Sequence, residues 1–202
     1  LTKKDWQFYI DQQYLEGFNM DALDAAAAEV GEKLGIKDYK VSVFLSIFYP
    51  VTKVKEFGIV DGKNLDLSLL EDRKAALKWF IDEQLKGFYA KKYEHITLNG
   101  FYWFTEDINY GDLQLLELLR YTTDYVREKN LITTWIPYFH ATGYDDWRHL
   151  GFDMACYQPN YAFNQAIPDV RLFDAAKTAK LLGMCIELES GGTENWNVER
   201  IK

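Results

Sequence analysis

The chain has 202 residues, 48% of them hydrophobic and 27% charged, and 23 Lys and Arg against 31 Asp and Glu give a formal net charge of −8. That balance is globular and excludes a disordered or fibrous chain, and the acidic surplus excludes nucleic acid as a partner, since phosphate binding needs clustered Lys and Arg. No apolar run of about 18 residues exists, so no membrane span is expected.

The length fits a single domain over residues 1–202. No basic segment followed by an apolar one opens the chain, and Leu1 in place of Met reads as a processed or excised start. Aromatic residues reach 16%, and that many rings belong to a core, a binding cleft, or both. Cys156 and Cys185 are the two cysteines. Two cysteines are too few for a disulfide framework or a zinc site, and their mid-strand positions read as small core residues.

In chain order, Trp6, Tyr9, Ile10 and Tyr14 share one side of a helix over 4–16. Leu23, Ala26, Ala27, Val30 and Leu34 repeat at helical spacing, with Asn19 or Asp21 as cap and Gly35 as stop. The run VSVFLSIFYP (41–50) is short, apolar and rich in β-branched and aromatic residues, which predicts a strand buried on both faces. Residues 51–67 have no period and read as a long loop. A helix over 72–91 follows, then a strand over 95–105, a helix over 112–129, and a strand over 132–138. A short helix at 145–150, a strand over 152–157, a helix over 169–182 and a strand over 184–188 complete the order.

Five strands alternating with helices predict right-handed βαβ units and a parallel sheet. No Gly-rich phosphate loop follows any strand, which removes the best support for a nucleotide-binding fold. The expected class is α/β, of the (β/α)8 TIM-barrel type, with about five βα units in this chain and therefore an incomplete barrel.

In such folds the site lies beyond the carboxyl ends of the strands. Glu106 follows the second strand, Tyr138 and His140 the third, and Gln158, Asn160 and Tyr161 the fourth, while Glu187 and Glu189 close the fifth. Strand parity sets Cys185, Glu187 and Glu189 on one face and Ile186 and Leu188 on the other, so these carboxylates point to the inner face or mouth. Glu106 beside Tyr102 and Trp103 suits a general acid, because an apolar pocket raises a carboxyl pKa.

Strand-end rings (Tyr102, Trp103, Trp135, Tyr138, Trp147, Tyr161) and polar groups (His140, Gln158, Asn160) suit a carbohydrate, which offers apolar C–H faces and hydroxyls. The alternative is structural: glutamates held in ion pairs, with Arg73, Arg148 and Arg171 as candidate partners, in a non-catalytic carbohydrate-binding or scaffold barrel. A metal-assisted hydrolase or lyase near His140, Asp145, Asp146 and His149 is a weaker reading, since no tight ligand pair occurs. No cofactor and no metal are expected.

The runs LNGFYWFTEDI (98–108), TWIPYFHATGYDDWRHLGFDMACYQPNYAFN (134–164) and GMCIELE (183–189) resemble a bacterial family, the domain of unknown function 4855. FNMDALDAAAAEV (18–30), FGIVDGKNLDLS (57–68) and DRKAALKWFIDEQL (72–85) are similar to it as well. The resemblance implies a glycosidase-type barrel, longer than this chain at both ends, from bacteria that often export such proteins, hence an extracellular or periplasmic location. It also implies that Glu106 follows the fourth barrel strand and that Glu187 or Glu189 closes the seventh, where many retaining glycosidases carry acid/base and nucleophile. An incomplete barrel leaves sheet edges open to self-association.

Overall fold

The structure, a computed structural model, describes residues 1–189. Helix α1 (Lys3–Gln13) opens with the Thr2 N–H donating to the Asp5 carboxylate at 2.6 Å, which satisfies one of the free amides at a helix start. Helix α2 (Asn19–Leu34) has Phe18 at its N-cap, so Asn19 and Asp21, expected there, lie in its first turn instead, and it stops as expected at Gly35 in the left-handed region, where a residue without Cβ is favoured.

Strand β1 (Val41–Ile47) follows. The segment expected to be an unstructured loop contains a small hairpin of β2 (Ile59–Val60) and β3 (Lys63–Asn64). Asp61 and Gly62 at its tip have φ of 49° and 82°, the double left-handed turn that matches the twist of a two-residue hairpin.

Helix α3 (Leu70–Lys91), β4 (Ile96–Trp103), α4 (Leu115–Glu128), β5 (Ile132–Trp135), β6 (Met154–Tyr157), α5 (Val170–Leu182) and β7 (Cys185–Ile186) complete the described chain. The strands are shorter than the sequence predicts, and one three-residue 3-10 turn, Tyr144–Asp146, is the only helical element between β5 and β6.

The main sheet is parallel in the order β1-β4-β5-β6-β7, so each strand joins beside its predecessor with no reversal. Crossovers of one hand between parallel neighbours carry their helices to one side of the sheet, and α3 and α4 pack against each other there. The expected α/β class and parallel sheet are therefore present.

Register determines the two faces. Ile47, Trp103, Trp135 and Ala155 align across four strands, and Tyr157 aligns with Ile186. This face is covered: Ile47, Phe101, Trp103, Trp135, Ala155 and Tyr157 are all buried. Trp6 of α1 reaches in, with ring centroids 4.9 Å from Phe57 and 4.8 Å from Phe80. The opposite face carries Ser46, Tyr102, Thr134 and Met154 in one row, followed by Cys156 aligned with Cys185.

A register shift between β1 and β4 leaves Asn99 without a partner, since Val43 pairs Leu98 and Phe44 pairs Gly100. A bulge reverses side-chain parity. Leu98 before it and Phe101 and Trp103 after it therefore share the covered face, while Tyr102 turns to the open one. Gly100 is required there, because a Cβ at that position would lie 1.8 Å from the Ile132 carbonyl oxygen.

Candidate active site

All five strands of a parallel sheet end at one edge, so residues just past β4, β6 and β7 meet without any contact in sequence. Tyr102 lies on the open face of β4, and Glu106 follows three residues after the strand. Gln158 follows β6, and Glu187 and Glu189 continue β7 on the parity of Cys185. The Glu187 N–H still donates to the Tyr157 carbonyl at 3.1 Å, which keeps Glu187 in sheet register.

An amide relay holds the first carboxylate. The Gln158 Nε2–H donates to Glu106 Oε1 at 3.2 Å and approaches the Ile136 carbonyl at 3.4 Å. Asn160 Nδ2 donates to Gln158 Oε1 at 3.3 Å, and Asn160 Oδ1 accepts the Phe139 N–H at 2.9 Å. With its oxygen taken by Asn160, the Gln158 amide is oriented to present N–H to Glu106. Asn160 has φ of 45°, a left-handed conformation that asparagine tolerates better than most residues.

The second group is of a different character. Burial raises the Glu187 carboxyl above its ordinary range, and the Glu106 charge adds to it. Burial likewise raises Glu189, with Glu187 and then Glu106 adding. The Oε2 atoms of Glu187 and Glu189 are buried and have no hydrogen-bond partner among the described residues. The Tyr102 phenol is raised by burial and then by Glu106, Glu187 and Glu189, so all four groups lie within one another's field.

No arginine considered as a structural partner pairs with these glutamates. Arg73 is fully buried and bonds Asp112 at 2.7 Å. Arg148 donates to the Leu182 carbonyl at 2.7 Å, and Arg171 to the Pro159 carbonyl at 3.4 Å. Uncompensated, partly buried carboxylates favour the protonated state, and nearby carboxyls of unlike environment are the raw material of general acid and base pairs.

Several rings expected in a cleft belong to the core instead. Trp103 and Trp135 lie on the helix-covered face at 2% and 0% exposure. Trp135 stacks on Phe152 at 5.3 Å and donates to the Thr105 carbonyl at 2.8 Å. Trp147 is buried under the Arg148 guanidinium, and its N–H donates to the Leu182 carbonyl at 3.1 Å. The Tyr161 ring is buried and its hydroxyl donates to Asp169. Indole and phenol polar ends find partners when buried, and Trp135, Trp147 and Tyr161 each have one inside the fold.

Tyr138 and His140 remain exposed in the loop after β5. The His140 ring stacks between Phe139 at 4.1 Å and Tyr144 at 5.8 Å, off the amide relay. Two open-face residues escape a reading based on strand ends: Phe104, 55% exposed beside Tyr102, and Thr134, whose buried Oγ1 has no partner among the described residues. Strand parity along β5 is the signal for Thr134. No His, Cys, Asp or Glu set capable of holding a metal ion occurs among the described residues.

The fold and site thus define an α/β protein with a five-stranded parallel sheet and a carboxylate cluster at the carboxyl edge of that sheet. The chain belongs to the family described as Domain of unknown function (DUF4855), which matches residues 1–198. No curated protein and no solved structure matches it. No helix of the described residues is long and apolar enough to cross a membrane.

Proposed function

We propose that this protein is a glycoside hydrolase-like enzyme whose sheet is an arc of a (β/α)8 barrel, with Glu106 and Glu187 as its carboxylate pair. Sequential strand order without reversal supports the barrel reading, since doubly wound sheets reverse at a switch point. The observation that carries the function is the convergence of Glu106, Glu187 and Glu189 on Tyr102, with Glu187 and Glu189 raised by burial and their Oε2 atoms without a partner among the described residues.

The environments favour an assignment opposite to the one expected from the apolar neighbours of Glu106. Glu187, raised, holds a proton to deliver to the glycosidic oxygen as its bond to the anomeric carbon breaks. Glu106, fixed by the Gln158 amide, is the second carboxylate, either attacking the anomeric carbon or drawing a proton from the water that does. The Glu106 charge adds to burial in raising Glu187, and Glu187 and Glu106 in turn raise Glu189. The exposed Phe104 and Tyr138 rings offer apolar faces to a sugar.

The test is a screen of the whole protein on a panel of glycans and aryl glycosides, with Glu106→Gln and Glu187→Gln as controls. Turnover lost by about a hundredfold or more in both variants supports the pair. Turnover surviving both overturns it, and binding without turnover by the wild type returns the protein to the carbohydrate-binding reading. Product stereochemistry then separates the retaining arrangement, carboxyls about 5–5.5 Å apart, from the inverting one at roughly 6.5–9.5 Å.

A further inference from the structure

Cys156 and Cys185 are direct register partners on the adjacent parallel strands β6 and β7. Both point to the open face, since their in-strand neighbours Tyr157 and Ile186 take the opposite parity. Both are free thiols, Cys156 half-buried and Cys185 exposed. As register partners on one face of adjacent strands, the two side chains stand side by side. Neighbouring strands lie about 4.7–4.9 Å apart, within the Cα separation of about 4.4–6.8 Å that a disulfide bridges.

The position is as informative as the distance. β7 has two residues and is the last strand at its edge of the described sheet. Glu187 stands two residues beyond Cys185 on the same face. A bond from Cys185 to the better-anchored β6 would fix the strand that carries Glu187 and Glu189.

We propose that Cys156 and Cys185 form a reversible dithiol–disulfide pair that clamps strand β7 to β6. The oxidant is a low-molecular-weight disulfide. The exposed Cys185 thiolate attacks one sulfur of that disulfide and expels one thiol, giving a mixed disulfide on Cys185. The Cys156 thiolate then attacks the Cys185 sulfur and expels the second thiol. Two cysteine thiols and one external disulfide thus yield one internal disulfide and two external thiols.

The order follows from access and from acidity. Burial, with the Cys185 thiol and the Glu187 charge added, pushes the Cys156 thiol up to about 12, so Cys156 supplies little thiolate near neutrality and serves as the second, intramolecular attacker.

The test is incubation of the purified whole chain with oxidised glutathione, read by intact mass and thiol titration. The expected product has lost two hydrogens and both titratable thiols. Cys156→Ser should stop at a persistent glutathione adduct on Cys185, and Cys185→Ser should take up no glutathione in the same time. A wild type that retains the adduct, or retains two thiols, overturns the pair.

The thermal midpoint of oxidised over reduced protein reads the clamp directly. A higher midpoint that dithiothreitol reverses supports it, and an equal or lower one overturns it. None of these readouts uses turnover, so the pair stands or falls separately from the proposed hydrolase activity.

Discussion

The two faces of one sheet are built to opposite rules. On the helix-covered face Leu45, Ile47, Phe101, Trp103, Trp135, Ala155 and Tyr157 are each at 2% exposure or less, and every ring finds a packing partner. On the open face Ser46, Tyr102, Met154, Cys156 and Glu187 are half-buried, and Thr134, Glu187 and Glu189 each hold a buried oxygen without a partner among the described residues. Buried polar atoms are normally satisfied, so one face accounts for stability and the other carries groups that stability alone does not explain. Substitutions on the two faces should therefore separate cleanly, the first in folding and the second in chemistry.

The largest effect is expected from Trp135→Ala. It removes a fully buried indole, its stack on Phe152 and its bond to the Thr105 carbonyl. Large-to-small changes of this kind cost about 3–5 kcal/mol, read as a lower midpoint in urea. Tyr102→Phe, the residue before Trp103 but on the open face, should shift the same midpoint by less than about 1 kcal/mol. Comparable losses in the two would mean that the faces are not distinct in packing.

Past the ends of β1 and β4, Asp112→Ala tests a carboxylate of the ordinary structural kind. Burial alone would push the Asp112 carboxyl up, but hydrogen bonds from Arg73 and Tyr49 outweigh it and hold it below the usual range. The Arg73 side chain is 0% exposed and the Tyr49 hydroxyl donates to Asp112 at 2.7 Å. Removing one partner of such a buried pair costs about 3–5 kcal/mol, because the other charge stays buried. A double substitution with Arg73→Met should recover much of that loss in the same unfolding assay. A depressed carboxyl contributes stability above its unfolded pKa and loses it as pH falls through the folded value, so the Asp112→Ala penalty should shrink in acid.

This contrast bears on what the sequence made legible. The helices and the parallel sheet followed from periodicity and alternation, because a 3.6-residue apolar stripe and a β-branched run survive any detail of packing. Glu106, Glu187 and Glu189 were placed together by the rule that parallel strands end at one edge. The roles of Trp103 and Trp135 were not legible. A single bulged residue, Asn99, reverses parity along β4, and no local propensity marks it except Gly100 beside it. The hairpin in residues 57–65 did carry a signal, since Asp61-Gly62 is the favoured dipeptide for its turn, but two-residue strands have no period to detect. The ion-pair alternative needed coordinates, because all three arginines bond elsewhere.

Gln158 tests the relay on the open face. Gln158→Leu removes a hydrogen bond to a carboxylate, worth about 1.5–3 kcal/mol, so kcat on any substrate found should fall roughly tenfold to a hundredfold with KM less affected. Gln158→Glu keeps the shape but sets a like charge beside Glu106, which favours the protonated form, and the acid limb of the pH–rate profile should move to higher pH. A profile that stays in place would make Gln158 a packing residue.

The smallest expected effect is also the one whose sign distinguishes the two faces. Burial and the Glu106 charge raise the Glu187 carboxyl in the folded chain. A carboxyl raised on folding contributes fully below its unfolded pKa, where both states are protonated. That contribution is lost as pH rises through the folded value, because the unfolded chain releases its proton first. Glu187→Gln, which is neutral at every pH, should therefore raise the thermal midpoint at pH 7 by a few degrees, and the gain should vanish below the ordinary carboxyl range near pH 4. Asp112→Ala should show the reverse trend at lower pH, because its depressed carboxyl keeps its contribution down to the unfolded pKa and loses it only below. A Glu187→Gln variant that is less stable than the wild type at pH 7 would mean that Glu187 is held by a favourable partner, and the distinction between a structural and a chemical face would fail at the residue on which it most depends. A gain in stability bought with a loss of turnover is the signature of a group kept for chemistry.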